Sequence, residues 1–364
     1  MKRFSYISAT PLVIVIIFTT MGHTQTEVAG NVYGDWTADS SPYIVTGSIT
    51  VDDGRLLEIE AGVNILFAAE VSFYVYGQLL AVGTEDDSIC FRAENAEESG
   101  WGGLRFLNAD RGTFLKYCAI DGGHTLGSGE ETDSTSAGGN VFIYSGDVTL
   151  DKCRISGGFS TGSGGGIAIW SGTAALLGCK LAFNSSIIDG GALMVTNEAT
   201  PVLENCYFIG NSSAESGGAV VNSNGSKATF SNCIFSGNTA LSWGGAALVT
   251  TKAKTEFYGC KFFYNEATVG GALNIRNEDT SPLIEWCYFY ENSALASPAL
   301  GGALYVRDLA SPEIRYCRFI ANSAEHGGAL YYKEEPRGSI HNNLFARNTS
   351  EDGGAAIETS SDNG

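Results

Sequence analysis

Three basic residues recur at one phase of a repeated phrase. Arg276, Arg307 and Lys333 each fall six residues after the first glycine of a Gly-Gly-Ala triplet. Two residues before them stand Asn274, Tyr305 and Tyr331, and directly after them Asn277, Asp308 and Glu334. In stacked strands these positions form aromatic, basic and acidic rows, all read as pointing outward. Tyrosine faces beside charged hydrogen-bonding groups suit an acidic sugar chain lying across the rows. Asn274, Arg276, Tyr305, Arg307, Tyr331 and Lys333 are therefore the candidate ligand-binding residues. The competing reading is a surface ladder in which each basic group is neutralised by its acidic neighbour. A second outward row, Phe263, Tyr290 and Ile320, is apolar enough for a contact surface.

Other chemistries find less support. A polysaccharide lyase needs clustered carboxylates, usually with calcium, and a basic residue to take a proton; a glycoside hydrolase needs opposed carboxylates. The acidic pairs Asp52-Asp53, Asp86-Asp87, Glu97-Glu98 and Glu351-Asp352 sit in turn-like stretches and read as solvated. Glu130, Glu131 and Asp133, in the long insertion 124–140, are the one cluster suited to calcium; a plain acidic surface loop is the competing reading. The four histidines, His23, His124, His326 and His341, fall at different phases, and no Ser-His-Asp arrangement accompanies them. No catalytic residue is assigned, and the expected role is binding rather than catalysis, with an acidic-polysaccharide lyase or hydrolase as the alternative.

What positions these residues is a repeat. Seven phrases align: CKLAFN at 179, CYFIGN at 206, CIFSGN at 233, CKFFYN at 260, CYFYEN at 287, CRFIAN at 317 and NLFARN at 343. From 179 to 343 the mean period is near 27 residues. The earlier copies CAIDGG at 118 and CRISGG at 153 carry glycine where the others carry asparagine. Asn and Gly both enter the left-handed region cheaply, so the sixth position is expected to turn the chain with positive φ. Stacked asparagines can also bond to one another. After the sixth position comes a loop of variable length, four residues at 266–269 and eight at 293–300, then Gly-Gly-Ala and a short alternating strand. A further strand precedes each cysteine, with Leu203, Ile284 and Ile314 inward. One such unit cannot bury its apolar face alone, whereas stacked units can. The expected fold is all-β: a right-handed parallel β-helix, a pectin-lyase-like solenoid with three short strands per coil and about twelve coils, ~55–60 Å long. The cysteines fall once per period, so they are read as a column of free buried thiols rather than as disulfides or a zinc site.

Residues 118–364 hold the regular repeats, and residues 25–117 are read as an N-terminal cap and irregular opening coils. Residues 1–24, with Lys2 and Arg3 before the apolar run Leu12 to Phe18, read as a secretory signal peptide. The chain stops at GGAAIETSSDNG, midway through a unit, so a longer natural protein is expected. A formal charge of −19 repels phosphate backbones, which argues against nucleic acid as a partner.

The pairing of F-x-x-N with G-G-A-[ILV] over residues 118–357 resembles the chlamydial polymorphic outer membrane proteins. The resemblance implies a surface-displayed, adhesive β-helix of a Gram-negative bacterium, secreted or associated with the outer membrane, whose partner is a glycan or a surface protein of a host or neighbouring cell. It departs from that family in one respect: those proteins end in a translocating β-barrel, and no barrel-like strands follow in this sequence.

Overall fold

The computed structural model describes residues 25–95, 100–125, 127, 135–334 and 337–360. The chain winds as a parallel β-helix of about twelve turns. One coil shows how. Val202–Glu204 runs to a corner at Asn205 (φ 54°), Tyr207–Ile209 follows to a corner at Gly210 (φ 60°), and Val220–Asn222 completes the turn. Each strand pairs in parallel with its counterpart one coil on: Leu203 with Phe230, Phe208 with Phe235, Val220 with Ala247. The opening stretch belongs to the same solenoid, since Tyr43–Val51 pairs in parallel with Asn64–Phe67 and Phe73–Val75.

The expected three strands per coil become four. A two-residue strand follows the asparagine, as at Ser212–Ser213, and nine of these form their own sheet. Its serine, threonine and alanine residues carry no strand-like alternation, so no periodic signal marks them. Their pairing follows from the coil spacing imposed by the longer strands.

Inside the helix, like stacks on like. Phe208, Phe235, Phe262, Phe289 and Phe319 lie face to face, 4.7 Å between successive centroids. All five are fully buried, and each contributes roughly 1.5–3 kcal/mol by leaving water. Eight of the nine cysteines are buried and all are free. Their thiols donate to carbonyls one coil back, as from Cys206 to Leu176 (3.2 Å) and from Cys287 to Phe257 (3.3 Å).

The asparagines do not turn the chain, contrary to the expectation above. The residue before each one does: Phe183, Gly210, Gly237, Tyr264, Glu291, Ala321 and Arg347 all have φ between 48° and 62°. The asparagine side chain points inward instead. Asn211 donates from its side-chain amide to Leu181 O and to Asn238 Oδ1, both at 3.0 Å. Its own backbone N–H reaches the same Asn238 Oδ1 at 3.0 Å. The pattern repeats through Asn238, Asn265, Asn292 and Asn322. Each rung meets the full donor and acceptor capacity of a buried amide, and these bonds offset the left-handed residue beside each rung.

The two glycine copies have a different cause from the one expected. Gly123 and Gly158 are not left-handed; Gly122 (φ 67°) and Gly157 (φ 61°) are. Asn140, in the slot that holds alanine in later coils, lays its side chain into the vacant rung. It accepts from Gly123 N–H (2.7 Å) and donates to Asn184 Oδ1 (3.3 Å). A Cβ on Gly158 would stand 2.5 Å from Asn140 Nδ2.

Candidate functional site

In the strand after each Gly-Gly pair the second residue points away from the helix interior. This outer row runs Tyr74, Arg105, Phe142, Ala168, Met194, Val221, Leu248, Asn274, Tyr305, Tyr331 through successive parallel pairs. Asn274, Tyr305 and Tyr331 were expected to be exposed faces. They are 0 %, 2 % and 8 % exposed. The reason lies in the turn before the strand. Its first glycine is left-handed and folds the backbone over the row: a Cβ on Gly327 would lie 2.8 Å from Tyr331 Cβ, and one on Gly217 2.5 Å from Val221 Cγ2. Stacking between coils hides the rest, since the Tyr305 and Tyr331 rings are parallel, 5.7 Å apart. The row is thus a second apolar seam outside the main core, with Phe142, Met194, Val221 and Leu248 packed along it.

Two residues beyond the row, the strand ends at a groove of about 460 Å³. Arg276, Arg307, Asp308, Asn277, Asp189 and Trp243 are among its lining residues. The Arg276 guanidinium lies 3.9 Å from the Trp243 ring centroid, a cation–π pair. Burial lowers the Arg276 pKa, and Asp189 opposes that shift. Arg307 pairs with Asp308 at 2.8 Å. Burial is the largest single influence and works against its charge, but the Asp308 hydrogen bond together with the charges of Tyr305, Asp308 and Glu334 outweighs it, and the pKa is raised. Burial also pushes the Tyr305 phenol up to about 12. Asn274 is fully buried, and neither amide atom of its side chain has a hydrogen-bond partner.

The six candidate residues therefore separate by role. Arg276 and Arg307 share the groove; Asn274, Tyr305 and Tyr331 form the packed row behind it; Lys333 stands half-buried at the end of its strand. Charge neutralisation holds for Arg307 and Asp308, whereas Arg276 meets a ring instead. Trp243 and Asp189 were not singled out in the sequence. They sit just before Gly-Gly pairs, in a ladder that bridges Asp189, Ser216, Trp243, Val269, Leu300 and His326. The phase is readable, but its position beside the arginine row is not.

Elsewhere the surface is mixed. Phe263, Tyr290 and Ile320 are half-buried, and Phe263 and Tyr264 meet the Tyr290 ring edge-on. Trp286 stacks on Tyr316 at 4.6 Å with both rings exposed. A second groove, about 610 Å³, carries Lys227, Lys252 and Lys254 balanced by Glu198 and Asp279, two to four residues further along the coil than the arginine row. Glu130, Glu131 and Asp133, and the leader 1–24, lie outside the described residues. Among the described residues no group of three or more His, Cys, Asp or Glu is placed to hold a metal ion, and no helix is long and apolar enough to cross a membrane.

The family model for the right handed beta helix region matches residues 84–277 and 215–364. No curated protein and no solved structure matches the chain.

Proposed function

As the chain belongs to the right-handed β-helix family, we propose that it is an exported binding scaffold, secreted or displayed at the cell surface, that holds an acidic sugar chain in the groove of Arg276 and Arg307. The observation that carries this reading is the Arg276 guanidinium braced on Trp243 at 3.9 Å, with Arg307 beside it. A braced cation keeps its donors aimed outward at low entropic cost. The leader-like start, and a repeat that resembles that of chlamydial surface proteins, support display outside the cell. A glycan array and calorimetry with polygalacturonate and alginate test it. Binding that drops at least tenfold in R276A/R307A supports the reading; no acidic glycan above background refutes it.

A lyase acting on the same polymer is the second reading. It is favoured by a basic group, Arg276, standing beside the carboxylates of Asp189 and Asp308 in one groove. Incubation with the same polymers, with and without calcium, decides it: unsaturated products or new reducing ends convert the scaffold into an enzyme.

A further inference from the structure

Arg105 is the one arginine of the outer row, and it is 2 % exposed. Its guanidinium meets only carbonyl oxygens: Nη1 donates to Gly138 O and Leu104 O, and Nη2 to Gly139 O. These use three of its five N–H groups; among the described residues no hydrogen bond takes the other two, Nε–H among them. Among the described residues no carboxylate pairs with it. A buried cation without a counter-charge is costly, and burial lowers its pKa to about 9.

The same place collects other unmet groups. Arg105 lines a cleft of about 260 Å³ together with Glu70, Ser72, Tyr74, His124 and Thr125. Thr125 is 3 % exposed and its Oγ1 has no partner; His124 Nε2 is buried and has none either. The imidazole is held edge-on against Phe159 at 4.7 Å, so its orientation is set by packing. Glycine keeps the cleft open: a Cβ on Gly102 would lie 2.0 Å from Ser72 Oγ. In native proteins a buried polar atom without a partner needs a cause, and here two, Thr125 Oγ1 and His124 Nε2, line one cleft beside a guanidinium without a counter-charge.

We propose that this cleft is a binding site for the carboxylate group of a small organic acid, held by Arg105, His124 and Thr125. Two free guanidinium donors match the two oxygens of a carboxylate, and the threonine hydroxyl and the imidazole supply further donors. The cleft is smaller than the roughly 300–1,000 Å³ of sites for drug-sized ligands, so the ligand is small. Glu70 at its lining and the chain's charge of −19 disfavour multiply charged anions. The site is separate from the Arg276 groove. Six coil steps along the row divide Arg105 from Asn274, roughly 29 Å, and the proposal does not rest on glycan binding there.

Calorimetry and thermal shift on the full chain with acetate, D-galacturonate, neutral D-galactose and inorganic phosphate test it. Acetate and galacturonate are expected to bind in the millimolar range or tighter and to raise the melting temperature, while galactose does neither. Binding of galacturonate without acetate supports the site, and narrows it to a sugar acid, where it persists in R276A/R307A; if it is lost in that variant, it belongs to the groove and the proposal is overturned. Thr125→Val should weaken binding by about threefold to tenfold and Arg105→Met by more than tenfold. Acetate binding should persist in R276A/R307A, tested alongside, because that variant alters only the glycan groove. If Arg105→Met does not fold, Thr125→Val alone carries the test. The proposal is overturned if no carboxylate binds the wild-type chain, if phosphate binds in preference, or if Thr125→Val binds as the wild type does.

Discussion

Asn140→Ala should destabilise the helix, although alanine fills that slot in the regular coils from Ala192 to Ala355. On the repeat alone the substitution restores a regular phrase and is neutral or better. The structure gives the opposite sign. Asn140 Oδ1 accepts from Gly123 N–H at 2.7 Å, and its amide donates to Ser156 O at 3.0 Å and to Asn184 Oδ1 at 3.3 Å. Both acceptors keep a second donor, Gly122 N–H and Gly158 N–H respectively. Gly123 N–H keeps none, which costs about 1–3 kcal/mol, and the two lost bonds add about 0.5–1.5 kcal/mol each. Allowing for partial relaxation, the total is about 2–4 kcal/mol. With a urea slope of about 2–3 kcal/mol/M, the midpoint should fall by about 1 M. Urea titration by circular dichroism reads the loss, and amide exchange at Gly123 should accelerate before that of the coils beyond Cys206, because stability in a solenoid is summed from neighbouring units. A midpoint equal to or above that of the wild type would show that the vacant rung is not filled by Asn140.

Three further outcomes follow from the same geometry. Phe262→Ala removes a ring stacked on both sides at 4.7 Å and should cost about 3–5 kcal/mol in the same titration; a loss under about 1 kcal/mol would mean that the column collapses to fill the gap. Burial, then hydrogen bonding to Cys260 and Cys317, holds the Cys287 thiol well above its ordinary pKa, so the thiolate that reacts is scarce. Mass spectrometry after alkylation near neutral pH should find half-buried Cys90 modified first and all nine only in denaturant; rapid labelling of the buried thiols in the folded chain would contradict the column. For Arg105 the folded pKa, about 9, lies well below the ordinary guanidinium value of the unfolded chain. The unfolded chain binds more protons between those values, so the cost of burying this charge is full below about pH 9 and fades as pH rises. Wild type should therefore gain on the order of 1 kcal/mol on Arg105→Met between about pH 8 and pH 10; a constant difference would mean that the group is not desolvated.

Much of the inner architecture was legible. Leu203, Phe208 and Cys206 recur at one phase and are all buried, because a residue repeated once per coil has its own counterpart as neighbour. The arginine phase was legible in the same way, and Arg276 and Arg307 do share a groove. The outer faces were not. Alternation placed Asn274, Tyr305 and Tyr331 on the outside of the strand, but the left-handed glycine turn folds over that face, and a period of two cannot register a covering segment.

The sequence by itself determined the coil: its period, its inward rows, its free thiols and the parallel pairing of like with like. These follow from local chemistry repeated at a constant interval. The tertiary structure decided what lies between rows: the fourth short strand, the turn at the residue before each asparagine, the loan of Asn140 to a rung 18 residues further along the chain, the Trp243 brace and the bare guanidinium of Arg105. Each depends on how far one coil stands from the next and on which side chain reaches across a corner. Such distances are set only when the coils stack, so residues unrelated in the repeat meet there without any mark in the order of the chain.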